Sequence, residues 1–307
     1  MQKSFLICLV AAILFYSAAF AAETFRVAAY NVENYLDVPT ESRLHVKSEA
    51  AKKKIRESIL AINPDVLALE EIGTTNALLE LRDSLKDDGC DFPFWEHVSG
   101  FDTNIHVAVL SKLPIVARHP HATENFLLDG KRFRVSRGFA EVEIQAATNF
   151  NFTLLVAHLK SRRPVPQADE GDLRLQEAKI LRGIIDEKLS QNPEARLVVL
   201  GDFNDVKNSE PVKTIIGRGK TKLTDTRPAE RNGDNQPNEN PRYEPHNITW
   251  THHYGIEDSY SRIDYIFLSR AMNGLWLKDE TYIPQIPNWG VGSDHRPVTT
   301  AFDTGGK

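Results

Sequence analysis

Asp202 and Asn204 stand two residues apart in the run Gly201-Asp202-Phe203-Asn204, directly after the apolar stretch Arg196 to Leu200. Side chains two apart on an extended chain point the same way, so a carboxylate and an amide can share one site, and Gly201 lets a neighbouring backbone come close. An Asx-rich turn that merely ends a strand accounts equally well for this run on its own. Asp294 and His295, adjacent in Gly292-Ser293-Asp294-His295-Arg296-Pro297, put a carboxylate and an imidazole at the mouth of a terminal strand, a pair suited to cation binding and proton handling. Glu70 and Glu71 close a short apolar run. Neighbours on a strand face opposite ways, so one acid can reach a site while the other meets solvent or a base. Asn31 follows an alternating stretch and His158 ends another, where a structural histidine is the plainer explanation of that residue alone. Asp264, inside Arg262-Ile263-Asp264-Tyr265-Ile266-Phe267, is costly to bury unless paired, and a histidine is its natural partner.

These residues fall where strands end. Thr24 to Tyr30 alternates in the strand period, residues 47–61 show helical spacing until Asn63-Pro64 stops them, and Asp65 to Leu69 reads as a buried strand. The same strand, helix, strand order returns at Asn151 to Ala157, Asp172 to Leu189 and Arg196 to Leu200, which suggests two similar halves. His106 to Leu110, Arg132 to Ser136, Phe139 to Ile144, Ser261 to Leu268, Leu275 to Tyr282 and Pro297 to Phe302 read as antiparallel strands. Such a mixture predicts sheets packed face to face with helices outside. Two long loops, Arg162 to Gly171 and Pro228 to Pro245, have the length that tends to carry function.

The 307 residues are 41% hydrophobic and 26% charged, a globular profile that excludes fibrous and low-complexity classes. Residues 1–21 read as a signal peptide, with a basic start at Lys3, an apolar run from Phe5 to Tyr16 and small residues around Ala19-Phe20-Ala21; an uncleaved anchor is the alternative. The expected organisation is therefore a leader, 1–21, and one domain, 22–307, in a secreted or periplasmic location. Cys8 would leave with the leader, so Cys90 has no partner and is expected as a buried apolar filler. A formal net charge of −5 argues against binding nucleic acid through bulk charge, although basic residues bunch at 131–134 and 160–163.

Taken together, the six motifs resemble those of the endonuclease/exonuclease/phosphatase superfamily, the DNase-like phosphoesterases, over essentially all of 22–307. Asn31 matches its first-strand Asn, Glu71 its metal-binding Glu and His158 its HL motif. Gly201-Asp202-Phe203-Asn204 matches its GDFN signature, Arg262-Ile263-Asp264-Tyr265 its (R)IDY signature and Ser293-Asp294-His295-Arg296-Pro297 its SDHxP terminus. The resemblance implies a four-layer α/β sandwich, two packed and mostly antiparallel sheets flanked by helices, with the site at the strand ends. It also implies phosphoester hydrolysis assisted by a divalent cation, magnesium first, with manganese or calcium as alternatives. The oxygen-rich donor set agrees, since no Cys/His set of the kind zinc prefers is present.

On this resemblance Asn31, Glu71 and Asp294 hold the cation, and Asp202 orients or deprotonates the attacking water. Asn204 holds a non-bridging oxygen, Asp264 fixes His295 for water activation or transition-state stabilisation, and His158 protonates the leaving oxygen. Arg162 and Arg163, a few residues after His158, are expected to guide a polyanion, with Asp169, Glu170 and Asp172 pairing back from the far end of their loop. Loops set the substrate. A nuclease or general phosphodiesterase acting on DNA or RNA ranks first, a sphingomyelinase-type phospholipase C or other phosphatase second, and a non-catalytic binding module last. A monomer with no membrane span after cleavage is expected. His119, His121, His252 and His253 lack a third ligand at useful spacing and read as loop residues. Trp250 and Trp289 read as core packing, with Trp289 near enough to the terminus to border the site.

Overall fold

Alternation along the strands builds both sheets and fixes what lies between them. In the strand Thr24–Tyr35, Val27 and Ala29 enter one apolar cluster while Ala28 and Tyr30 enter another; in Val66–Ile72, Val66 and Ala68 go with the first and Leu67 and Leu69 with the second. The first cluster lies between the sheets, because Leu154, Val156, Val198, Leu200 and Ile266 enter it from the other sheet. The second is filled by Ile55 and Ile59 of the helix Glu49–Ile62 and by Leu78 and Leu81 of the helix Thr75–Asp87. A third, on the far face of the other sheet, takes Leu173, Leu181 and Ile185 from the helix Glu170–Gln191 and Val212 and Ile215 from the helix Glu210–Ile216. Three apolar seams make four layers, helix, sheet, sheet and helix, as the motifs implied.

The computed structural model describes residues 24–232, 239–240, 242 and 247–305; the expected leader lies outside them. One sheet runs in the order Ala229–Glu230, Trp276–Ile283, Val298–Asp303, Thr24–Tyr35, Val66–Ile72, His106–Ser111, Phe94–Val98. The other runs Thr224–Asp225, Asp264–Leu268, Leu197–Asp202, Phe150–Ala157, Phe139–Ala147, Ile115–Arg118. Each is centred on a parallel pair, Thr24–Tyr35 with Val66–Ile72 and Phe150–Ala157 with Leu197–Asp202, flanked by antiparallel neighbours. The two halves foreseen from the element order are thus real in topology. Among the described residues no helix is long and apolar enough to cross a membrane.

Several elements differ from the sequence expectation, among them the strands Phe94–Val98 and Ile115–Arg118 and the helix Glu210–Ile216, which were not foreseen. The helix Thr75–Asp87, capped by Thr74, was not anticipated. Residues near 132–136 pair in a separate hairpin, Asn125–Leu128 with Lys131–Arg134, rather than in a main sheet. The stretch 261–268 is split: Ser259–Ser261 pairs with His252–Tyr254, and only Asp264–Leu268 enters the sheet. The Thr251 hydroxyl accepts from the backbone N–H of both Ile263 and Asp264 at 3.2 Å, which turns the chain between the two pieces.

Candidate active site

The period that sends Val27 and Ala29 between the sheets sends Asn31 there too, two residues on. Glu70 likewise follows Val66 and Ala68, His158 follows Leu154 and Val156, Asp202 follows Val198 and Leu200, and Asp264 precedes Ile266 and Leu268. All five are buried. Polar side chains therefore close one end of the inter-sheet core, where burial is tolerable only if they meet one another or a ligand.

Asp202 is where they meet. Its Oδ2 accepts from Asn31 Nδ2 at 3.0 Å and stands 3.5 Å from His158 Nε2 and 3.8 Å from His295 Nε2. Its Oδ1 accepts from the backbone N–H of Asn204 at 2.8 Å, and Asn204, at φ 54°, donates Nδ2 to the Leu159 carbonyl at 3.0 Å. Gly201 is obligatory, because a Cβ there would fall 2.1 Å from the Ala157 carbonyl oxygen and 2.9 Å from Glu70 Oε1. Burial, reinforced by Asp264 although opposed by His295, pushes the Asp202 carboxyl up to about 7.

Glu70 and Glu71 correct the expectation of one acid in the site and one facing solvent or a base. Glu70 meets neither: it is wholly buried and both its oxygens lack hydrogen-bond partners. Burial, then the Asp264 and Asp202 carboxylates, push its carboxyl well above the ordinary range. Glu71 leaves the strand alternation at φ 61°, in a bulge between Glu70 and Ile72. Its Oε2 accepts from the Asn34 N–H at 3.0 Å and its Oε1 lies 3.5 Å from Asn31 Nδ2 and 3.9 Å from His158 Nε2.

His295 Nδ1 stands 2.9 Å from Asp264 Oδ2, the pairing anticipated for the buried aspartate. Burial disfavours charge on this ring, but Asp264 and Asp202 outweigh it and hold His295 well above its usual value. The Ser293 hydroxyl donates to the Asn31 carbonyl at 2.7 Å and accepts from the His295 N–H at 3.0 Å, tying the terminal motif to the first strand. Asp294 turns to His252 at 3.5 Å and His295 at 3.9 Å. Against the cost of burial, these two histidines hold its carboxyl below the ordinary value.

His252 is the residue that sequence reasoning set aside. Its third ligand exists but is supplied by packing: His252, Asp294 and His295 bring ligand atoms within 4.8 Å of one another, as do Asp202, Asp264 and His295. No spacing in the chain announces this. His121, by contrast, lies between named strands as expected of a loop residue, and its ring is fixed between Glu124 at 3.3 Å and Glu141 at 3.0 Å.

His158 is buried with neither ring nitrogen hydrogen-bonded. Burial, then Arg137, His295, Arg43 and Lys160, depress it well below its usual value, so it sits neutral. Arg162 remains exposed near the site, with Nε donating to the Asn204 carbonyl at 3.2 Å and its tip 3.3 Å from Asp205. The acids expected to restrain it do not: Asp169 instead caps the helix Glu170–Gln191, and Asp205 is the partner, shared with Arg174 at 3.0 Å. Arg163 is exposed, and its carbonyl accepts from Lys160 Nζ at 2.7 Å. Trp250 and Trp289 are half-buried rather than core; with Gln285, Ile286, Pro287, Glu230 and Arg296 they line an open cavity of about 430 Å³.

The donor set fits a hard divalent cation. Glu71 and Asp202 carboxylates converge through Asn31, and the unbonded His158 Nε2 faces both.

The sequence profile of the Endonuclease/Exonuclease/phosphatase family matches residues 28–295. No curated protein matches the chain in sequence. In fold it is similar to truncated Caenorhabditis elegans TDP2, at 15% identity and a TM-score of 0.60, covering 92% of this chain and 98% of that one. The human nocturnin catalytic domain with bound sulfate gives 15% identity and a TM-score of 0.60, over 92% and 94%. Sphingomyelinase C from Streptomyces griseocarneus gives 17% and 0.59, over 91% and 99%.

Proposed function

The chain belongs to the endonuclease/exonuclease/phosphatase family, and from that membership we propose that it is a magnesium-dependent nuclease or general phosphodiesterase working outside the cytoplasm. Family members are hydrolases of phosphoester bonds that depend on a divalent metal. The observation that carries the reading is the convergence on Asp202 Oδ2 of Asn31, His158 and His295, within 3.0, 3.5 and 3.8 Å. The extracytoplasmic placement is supported by residues 1–21 alone.

Glu71 and Asn31 hold the cation in this reading, and Asp294 with His252, 3.5 Å apart, forms a second pair able to contribute to one. A bound divalent ion would polarise the phosphoryl group and offset its growing negative charge. Asp202, held by Asn31 and by the Asn204 N–H, takes the proton of the attacking water. His295, charged and braced by Asp264, stabilises the negative charge that develops on phosphorus-bound oxygen. His158 is neutral, so we assign it a hydrogen bond to a phosphoryl oxygen rather than the proton transfer that the motif resemblance implied. Asn204 orients a non-bridging oxygen.

A lipid phosphodiester is the second reading. It is favoured by the hairpin that carries His252, whose Tyr254, Ile256 and Tyr260 are 41%, 84% and 55% exposed. Residues 22–307 incubated with plasmid DNA, RNA, sphingomyelin vesicles and bis(p-nitrophenyl) phosphate, with magnesium or EDTA, decide between them. Cleavage of nucleic acid and of the small diester, abolished by EDTA, supports the proposal. Cleavage of sphingomyelin alone supports the lipid reading, and full activity in EDTA overturns both.

A further inference from the structure

Two arginines beside the site share one carboxylate as their ion-pair partner. Arg137 is buried, donates Nη1 to the Leu159 carbonyl at 3.2 Å, and leaves Nε without a hydrogen bond, 3.5 Å from Asp102 Oδ2. Arg43 reaches the same oxygen at 4.0 Å and donates Nε to Asn34 Oδ1. Asn34 in turn donates its N–H to Glu71. Asp102 gives its other oxygen to the Asn104 N–H, the Asn104 amide and the Ile105 N–H, at 2.9, 3.3 and 3.4 Å, so both guanidinium groups lean on one distant carboxylate oxygen. The loop is held there because Gly100 lies flush on Arg137: a Cβ would fall 2.3 Å from the Arg137 carbonyl carbon.

Glu177 acts on Arg137 through space but makes no hydrogen bond to it. Glu177 is occupied by the Ser136 N–H and hydroxyl and by the Lys160 N–H, while the Lys160 ammonium, a third cation nearby, is held by the Ser161 and Arg163 carbonyls. Beside this cluster opens a cavity of about 390 Å³ lined by Asn34, Ser42, Arg43, Leu44 and His45. Arg43 lines this cavity, and Arg137, with its unfilled Nε donor, stands behind it across the shared Asp102 oxygen; the planar fork of arginine suits phosphate.

We propose that Arg43 and Arg137 form a second phosphate subsite, adjoining the candidate active site through Asn34 on one side and Leu159 on the other. Resting on the phosphodiesterase reading, it selects substrates that carry a further phosphate next to the scissile one, either the following diester of a polynucleotide or a terminal monoester. Asp102 is its counter-charge and keeps the arginines in place when the subsite is empty.

Inorganic phosphate titrated into the metal-stripped chain and followed by phosphorus NMR tests the subsite without catalysis. Arg43→Gln weakens binding about tenfold, the size of one charged hydrogen bond removed. Asp102→Asn, which keeps the bonded Oδ1 and removes the competing charge, tightens it several-fold. Equal affinity in all three proteins, or weaker binding in Asp102→Asn, overturns the proposal. Cleavage of dTpdT is then compared with that of its 5′-phosphorylated and 3′-phosphorylated forms and of a longer oligonucleotide. A preference of the wild type for one phosphorylated form places a terminal monoester in the subsite. Preference for the oligonucleotide alone places a diester there, and Arg43→Gln brings the favoured ratio of kcat/KM close to one. Opposite shifts in phosphate affinity with no dinucleotide cleaved leave the subsite standing and overturn the nuclease reading instead.

Discussion

His295 faces two aspartates at once, with Nδ1 2.9 Å from Asp264 Oδ2 and Nε2 3.8 Å from Asp202 Oδ2. The first braces the ring from the strand behind it, and the second lies in the site. If Asp264 acts only by bracing, the Asp264→Ala/His295→Ala double variant is scarcely slower than the worse single variant, because residues acting as a unit are non-additive. Turnover of bis(p-nitrophenyl) phosphate by the four proteins gives the answer, and multiplicative losses would show separate roles.

Glu70 and Glu71 are expected to behave differently despite adjacency. Glu71→Ala lowers phosphodiester turnover by roughly two to four orders of magnitude with the fold retained. Glu70 is buried and held in its neutral form, so Glu70→Gln, which has the same shape and no charge, leaves thermal stability near wild type. Glu70→Ala opens a cavity and costs roughly 1–3 kcal/mol. Denaturant unfolding with circular dichroism separates the three, and equal destabilisation by Gln and Ala would mean that Glu70 is ionised in the fold.

Asp202 should set the acid limb of the pH profile. Its carboxyl is raised to about 7, so below that pH it holds a proton and cannot accept one from water. Accordingly, kcat/KM falls about tenfold per pH unit on the acid side and levels off above. Higher magnesium moves the limb to lower pH, since a nearby cation favours the ionised carboxylate. Asp202→Asn removes the limb together with most of the rate; a limb unaffected by magnesium would separate Asp202 from the cation.

Stability should fall on the acid side through His106. Burial, aided by His97, lowers this ring from 6.5 to about 4, so it stays neutral in the fold while the unfolded chain takes up a proton. The contribution is complete above about pH 6.5 and is lost progressively as pH falls toward 4, at most about 3 kcal/mol in all. Urea unfolding at several pH values checks this: His106→Gln flattens the slope between pH 6.5 and 4, and an unchanged slope would assign the acid sensitivity elsewhere.

Arg162 and Arg163, exposed at the lip of the site, should act on polymers more than on small diesters. Replacing both with Ala weakens DNA binding and lowers its salt dependence by roughly one unit of slope for each phosphate no longer neutralised. Fluorescence anisotropy across a salt series measures it. Wild-type affinity and slope in the double variant would remove the loop from the nucleic-acid path.

The strand period was written in the sequence, and with it the face on which Asn31, His158, Asp202 and Asp264 lie. Each follows or precedes apolar residues two apart that must enter the inter-sheet core, so local alternation was enough. The helix Thr75–Asp87 was not foreseen although Leu78, Leu81 and Leu85 share one helical face, because only two residues separate it from the end of the strand Val66–Ile72 and its run is short. Other relationships had no local signal. Glu71 reaches Asn31 only because a bulge sets its φ to 61°, and Glu70 is wholly enclosed only because a second sheet packs over it. His252 meets Asp294 and His295, and Arg43 and Arg137 share Asp102, across separations along the chain that no periodicity spans. Backbone geometry fixes which way a side chain points from its own strand, whereas which remote side chain it meets is decided when the sheets pack and the loops settle over their common end.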